Sequence, residues 1–528
     1  MKKILVSIIL LLPFLIKSQT LEVSGIQEGL WDCDTILVVK DVIVPEDKSL
    51  VVSEGTRVVF KDYFSIIVNG SFKALGSETD SIYFTARDTT GFFDWRKGKG
   101  SWNGLVLQNA KDTVIIDYCH LSFGKAVSSQ RSAANFGGAV RIYNSIVNIS
   151  NSTFYHNLTT LKGGALYAER SSVKISNCEV DSNFGFNEEG VYMHGAGFQF
   201  SNCDVEMEDM YFHDNYCANC YGGGANFDSC NVYVNNAIFE DNYAVNAAGM
   251  GIQRSNDYDV KVFNCLFDNN ISYHYGGAMA MATSSPLIHN VTMTNNYTIA
   301  AGGGALQFYS NARPIFKNCI IWGNDWYGEH NAIADGSQIF VWGSDCAPEF
   351  YNSILQGGYK EVHGNSSIAV YDTATMLDSD PMFVDIQNRD FRLQAGSPAI
   401  NNGHIDIEGV PSKDLSGNPR IVGDRIDMGC YESNVACLKE INCKNVNIYP
   451  NPANHNSVCE FLLKNMSDVN VKIYNQNASL IFIKNYGKMQ SGMNKINMSD
   501  FIKSLRKNNV YLLSIESEEE IKNIKFVY

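Results

Sequence analysis

The sequence predicts an all-β protein: a right-handed parallel β-helix with coils of about 27 residues, followed by a small C-terminal β-sandwich. Three observations carry this reading. A Gly-rich step returns seven times, at Gly137-Gly138, Gly163-Gly164, Gly195-Ala196-Gly197, Gly223-Gly224, Gly249-Met250-Gly251, Gly276-Gly277 and Gly303-Gly304. Each step has its asparagine, at Asn157, Asn183, Asn215, Asn242, Asn270, Asn296 and Asn324, spaced by 26, 32, 27, 28, 26 and 28 residues. Between these marks, stretches such as Val173-Lys-Ile175-Ser and Val232-Tyr-Val234-Asn alternate apolar and polar, the period of a half-buried strand. No stretch carries an apolar stripe long enough for a helical repeat.

A second polar column stands six residues before the first, at Asn151, Asn177, Asp209, Asn236, Asn264, Asn290 and Asn318. Coils of a β-helix stack about 4.8 Å apart, so residues of one register form ladders. An inward asparagine at a corner can bond its own turn and the amides of its neighbours. The asparagine columns are therefore read as structural ladders. The Asn-x-Ser/Thr triplets at Asn157, Asn270, Asn290 and Asn296 follow from that ladder and are not read as glycosylation sites.

In chain order, residues 1–18 read as a cleavable export signal: Lys2-Lys3, an apolar run over residues 4–16, and Ser18 before Gln19. That run is too short to span a membrane, and no later apolar stretch reaches about 18 residues. Residues 19–435 are assigned to the β-helix. Its first strands fall within 34–86, with turns at Glu54-Gly55 and Asn69-Gly70, and residues 20–33 are expected to cap the open end. A polar, Gly-rich loop covers residues 88–101, and a final coil is expected to end near Gly357-Gly358. Residues 436–445 read as a linker. Beyond it, residues 446–528 alternate as six or seven short strands, a sandwich pattern without the 27-residue period.

The formal charge of −15 is split unevenly. Residues 1–443 carry −19 and residues 444–528 carry +4, which supports a domain boundary near the linker. An acidic body excludes a nucleic-acid phosphate track.

The side chains able to do chemistry are weighed against that frame. Of the fourteen cysteines, Cys178, Cys265 and Cys319 each follow a column asparagine and read as buried ladder members. Cys217-Ala-Asn-Cys220 is a lone pair in a corner loop, with only His213 and His194 as candidate zinc partners. In an exported chain a Cys217–Cys220 disulfide is the favoured reading, and no metal site is assigned. No cofactor is called for, and a calcium site finds no support in the pattern. The densest acidic group is Asp204, Glu206, Glu208, Asp209 and Asp214, where Glu206 and Glu208 alternate with Val205 and Met207 as outward residues of a strand would. Few basic residues lie near it to act as proton acceptors, so no catalytic residue is assigned. Aromatic residues recur after the asparagine column, among them Tyr216, Tyr243, Tyr273, Tyr297 and Trp326. Stacked along one side, they either pack on one another to seal the corners or form a strip suited to sugar rings or a protein surface.

Two stretches carry family resemblances. Residues 378–432 contain Asp380-Pro381-Met-Phe383-Val-Asp385, Gly396-Ser-Pro-Ala-Ile-Asn401 and Asp427-Met-Gly429-Cys430-Tyr431-Glu432. They resemble the choice-of-anchor Q family of surface β-helix proteins from Bacteroidetes and other bacteria, which implies location and architecture rather than an activity. Here Arg392, Arg420, Asp414 and Asp427 are expected to form a charge network that closes the last coil. Residues 446–528 contain Tyr449-Pro-Asn-Pro, Val471-Lys-Ile-Tyr474-Asn and Tyr511-Leu-Leu-Ser-Ile. They resemble the C-terminal sorting domain of the type IX (Por) secretion system. The resemblance implies that the secretion machinery is a partner and that the protein is exported to the cell surface or medium. The expected role is adhesion or binding of a polysaccharide, host or cell-surface partner; the alternative is a polysaccharide lyase or hydrolase of the pectin-lyase-like fold.

Overall fold

The computed structural model describes residues 20–127, 136–187, 193–326, 338–364, 370–404, 409–433, 446–475, 480–507, 509–517 and 521–528. The export signal at 1–18 and the linker at 436–445 lie outside the described residues.

One coil shows how the repeat works. Strand Leu166–Glu169 ends at a bend on Arg170, a second run over 172–176 ends at Asn177, and a third over 178–181 ends at Ser182. All three bend residues hold φ near +50°, the left-handed region that turns a chain sharply. Asn183 then points inward and the short strand Phe184–Gly185 closes the coil. Each run pairs in parallel with the same run of the coils before and after. Thus Leu166 aligns with Val140 and Phe198, Val173 with Val147 and Val205, and Val180 with Phe154 and Phe212. The three runs stack into three long parallel faces, called here sheets I, II and III in coil order. The core between them is apolar side chains stacked coil upon coil. Phe212, Phe239 and Phe267 lie parallel, with centroids 4.7 and 4.8 Å apart.

The second polar column is the bend between sheets II and III. All seven of its residues, from Asn151 to Asn318, have φ between 49° and 55°. Asparagine and aspartate tolerate that conformation better than other side-chain-bearing residues do. The backbone, then, is the first reason for this column.

Residues 20–33 are not a separate cap. Thr20–Ile26 pairs in parallel with Thr35–Val44, and Gly29–Trp31 with Ser49–Ser53, so they make the first coil. Val23 and Trp31 supply its inward side chains, while Leu21, Ile26 and Leu30 stay exposed. The alternation that marks later coils is already present in Leu21-Glu-Val23, and it extends the stack. Loop 88–101 folds inward over the coils. Phe92 is buried, and the buried Lys125 Nζ donates to the carbonyl oxygens of Lys97 (3.1 Å) and Lys99 (2.9 Å).

The largest departure from expectation is residues 378–404 and 409–433. They do not close the last coil but run back along the outside of the body, at the corner of sheets II and III. Phe383, Phe391, Ile400, Met428 and Cys430 pack on the outward Leu266, Ile320 and Ile354 of sheet III. Backbone groups of this strap take the second-column side chains: Asn264 Nδ2 donates to Lys413 O (2.9 Å), Asn290 Nδ2 to Asp427 O (2.8 Å), and Asn318 Oδ1 accepts from His404 N (2.6 Å). Its internal network is also differently composed. Arg420 donates to the carbonyls of Cys430 and Gly429 and stands 3.6 Å from Glu432, while Asp414 and Asp427 accept backbone amides. Arg392, itself exposed, is outside this network, on half-buried Asp390. An isolated coil end offers backbone edges to a closing element, but the apolar outward stripe offers more burial, and the strap follows it.

The tail has its own core. Val446–Tyr449, Val458–Leu463 and Gly492–Asn497 form one antiparallel sheet; Leu480–Met489, Ser467–Tyr474, Val510–Glu516 and Ile521–Val527 form another. Phe461, Val471, Ile473, Phe501 and Leu513 fill the space between them, with one helical turn at Ser499–Ile502.

Candidate functional site

The inward asparagines form one continuous chain of amides. Asn157 Nδ2 donates to Asn183 Oδ1 (3.0 Å), and Asn183 to Asn215, Asn215 to Asn242, Asn242 to Asn270, Asn270 to Asn296 and Asn296 to Asn324, each at 2.9 Å. Each Oδ1 from Asn183 to Asn324 also accepts the backbone amide of the preceding asparagine. The chain begins at Gly124 N, which donates to Asn157 Oδ1, and ends on Gln338, whose Oε1 accepts from Asn324 Nδ2. With every polar atom occupied and the side chains buried, this column has no capacity left for a ligand.

Just outside it, the short closing strands carry the aromatic residues. Their outward register runs Leu158, Phe184, Tyr216, Tyr243, Ile271, Tyr297, Asp325. Tyr216 and Tyr243 stack with centroids 4.9 Å apart and planes 13° off parallel, and Phe186 extends the row 5.9 Å from Tyr216. Ile271 interrupts it, and Tyr273 stands two residues further along its strand, 43% exposed. Trp326 pairs with Thr298, in the buried register of Cys217, Ala244 and Ser272, not in the outward row. Cys217 and Cys220 lie beneath the strip, joined as a disulfide with Cα atoms 5.6 Å apart. Cys203 and Cys230, on neighbouring coils, remain free thiols.

On the adjoining face, sheet III, the outward register runs Tyr155, Asp181, His213, Glu240, Asp268, Thr294. Asp214 and Asp241 occupy the bends beside it. Parallel stacking thus brings carboxylates together along one line. Two arrangements balance them. Arg389, from the strap, clamps Asp241 with two hydrogen bonds (2.8 and 3.0 Å), pairs with Glu240 and reaches Asp268 at 3.5 Å. Burial pushes the Asp268 carboxyl up to about 6, against the pull of Asn295, which donates to it. One coil earlier, His213 is the balancing group. Its Nδ1 lies 2.9 Å from Asp214 and 3.5 Å from Asp181, and its Nε2 lies 3.0 Å from Glu179. Burial works against its charge, but these three carboxylates raise its pKa overall.

The acidic group named from sequence is dispersed. Asp204, Glu206 and Glu208 face outward on sheet II, where Lys174 pairs with Glu206 at 2.6 Å, while Asp214 belongs to the sheet III cluster. Sheet II holds a shallow depression of about 480 Å³ floored by Lys174, Glu206, Tyr233 and Lys261. The grouping of Asp181 with His213 was available in the sequence, since their spacing of 32 equals that from Asn183 to Asn215. Nothing in the sequence placed Arg389 beside Asp241, 148 residues away.

Comparison with protein families assigns the two parts. Residues 82–267 match the model described as right handed beta helix region, and residues 447–528 match that described as secretion system C-terminal sorting domain. This is an exported β-helix protein. Its sorting domain directs it through type IX secretion to the cell surface or the medium, and the secretion machinery is its partner. No curated protein matches the sequence. Among the described residues, no helix of this β-helix protein is long and apolar enough to cross a membrane.

Proposed function

We propose that the exported body is a non-catalytic binding module whose outward aromatic strip holds a polysaccharide or another surface partner. The observation that carries this reading is the stacked Tyr216–Tyr243 pair, with Tyr216 38% exposed, on a corner of the helix that the strap leaves bare. Stacked tyrosines offer a flat apolar platform edged by hydroxyls, which suits the faces of sugar rings. Tyr297 continues the same register beyond Ile271, and Tyr273 flanks it. Trp326, half-buried and paired with Thr298, stands outside this row.

The second reading, a lyase or hydrolase, draws on the carboxylates of Glu240, Asp241 and Asp268. Arg389 lies across all three, which favours a structural role for them. The test uses the purified exported protein on a glycan array, with reducing-sugar and unsaturated-product assays on every ligand retained. Binding without turnover, weakened at least tenfold by the double change Tyr216→Ala and Tyr243→Ala with melting unchanged, is the expected result. Retention of full binding by that variant overturns the strip as the site, and turnover of a bound glycan overturns the non-catalytic role.

A further inference from the structure

We propose that Asp181, His213 and Asp214, backed by Glu179, form a binding site for a divalent transition-metal ion of the zinc class on the outer face of sheet III. This inference is independent of the glycan reading, because the site uses neither Tyr216 nor Tyr243.

The donor geometry is the first support. Donor atoms of Asp181, His213 and Asp214 all lie within 4.8 Å of one another, and His213 Nδ1 stands 2.9 Å from Asp214 Oδ2 and 3.5 Å from Asp181 Oδ1. Three ligands at about 2.0–2.2 Å from a tetrahedral zinc are themselves roughly 3.4 Å apart, so only small side-chain rotations separate this cluster from a ligand set. The second support is the way the imidazole is held. Glu179 Oε1 takes the Nε2 side at 3.0 Å and holds a proton there, so that an ion would replace the proton on Nδ1, the nitrogen that faces the two aspartates. A carboxylate behind a ligating histidine orients the ring and raises its basicity. Tyr211 stacks on the same ring at 4.2 Å and holds its plane. The third support is charge. Among the described residues, no lysine or arginine forms an ion pair with Glu179, Asp181 or Asp214; each has only His213. On the next coils the equivalent stack is offset in part by the Arg389 guanidinium. A divalent ion would supply here what Arg389 supplies there.

The ligand set also selects the ion. Calcium and magnesium prefer all-oxygen shells, whereas one imidazole with two carboxylates suits zinc and its neighbours. Asp214 is the most exposed of the ligands, which leaves an open side through which an ion can enter.

The test titrates zinc chloride into the untagged, chelator-treated exported protein by calorimetry, with cobalt absorption as a second readout. One saturable ion per chain is expected, with a cobalt spectrum free of thiolate charge-transfer bands. His213→Ala should weaken binding at least 100-fold, and Glu179→Gln about tenfold, as expected for loss of the group behind the ring. Asp181→Asn, which keeps the shape of the strand, carries the same test if His213→Ala fails to fold. Absence of saturable binding overturns the proposal, as does unchanged affinity in a folded His213→Ala or Asp181→Asn variant.

Discussion

Sheet III is one continuous face with two different fates. Its first outward row begins as His120, Thr153, Glu179 and Tyr211, and this half faces solvent beside the aromatic strip. From Ile238 onward the same row reads Leu266, Thr292, Ile320 and Ile354, and this half is covered by the strap. The backbone does not differ between them. The second polar column keeps φ near +50° throughout, yet Asn177 and Asn236 bond along an exposed ladder while Asn264, Asn290 and Asn318 are buried under the strap. A repeat fixes geometry coil by coil; the polarity of one row decides which coils become surface and which become interface.

The comparison can be broken hardest at the strap. Arg420 and Glu432 are both buried, so Arg420→Ala leaves an uncompensated carboxyl and three carbonyls short of a donor. A loss of about 3–5 kcal/mol is expected from removing one partner of a buried pair. It should be read by chemical denaturation and by new protease cleavage confined to residues 399–433. Cleavage spread over the whole body would show that the strap and the coils unfold as one unit.

The strap should also respond to pH through its buried carboxyls. Burial pushes Glu432 up to about 8 and Asp427 up to about 6, outweighing the attraction of Arg420. A carboxyl with a raised folded pKa binds its proton more tightly in the folded state, so its contribution to stability is complete at low pH and lost as pH rises through the folded value. Strap stability should therefore fall between about pH 4.5 and pH 8, and Glu432→Gln should flatten most of that slope in melting curves. An equal slope in the variant would place the titration elsewhere.

Smaller effects separate the two asparagine columns. Asn215→Ala removes the acceptor of Asn183 Nδ2 and the donor to Val180 O, all fully buried, and should cost about 1–3 kcal/mol. Asn236→Ala, on the half-buried stretch of the second column that the strap leaves bare, should stay within about 1 kcal/mol, the cost of exchanging its left-handed bend for a residue less suited to it. Equal costs at the two sites, measured by denaturant titration, would mean that the bend and not the amide chain stabilises the coils.

Much of this was legible in the sequence, for one physical reason. Stacked parallel coils place contacts at a fixed separation, so strand alternation, the bends and the line from Asn157 to Asn324 all recur at one period and can be read from it. The tail was legible because its strands alternate within themselves. What lacks a period was decided only by tertiary structure. Residues 378–404 and 409–433 return along sheet III, and not over the last coil, because burial on Leu266, Ile320 and Ile354 depends on which distant surfaces fit. The same folding back sets Arg389 on Asp241 and replaces Arg392 by Glu432 in the buried network. Trp326 illustrates the finest scale: a shift of one residue in a strand exchanges outward for inward, and its pairing with Thr298 takes it out of the outward row.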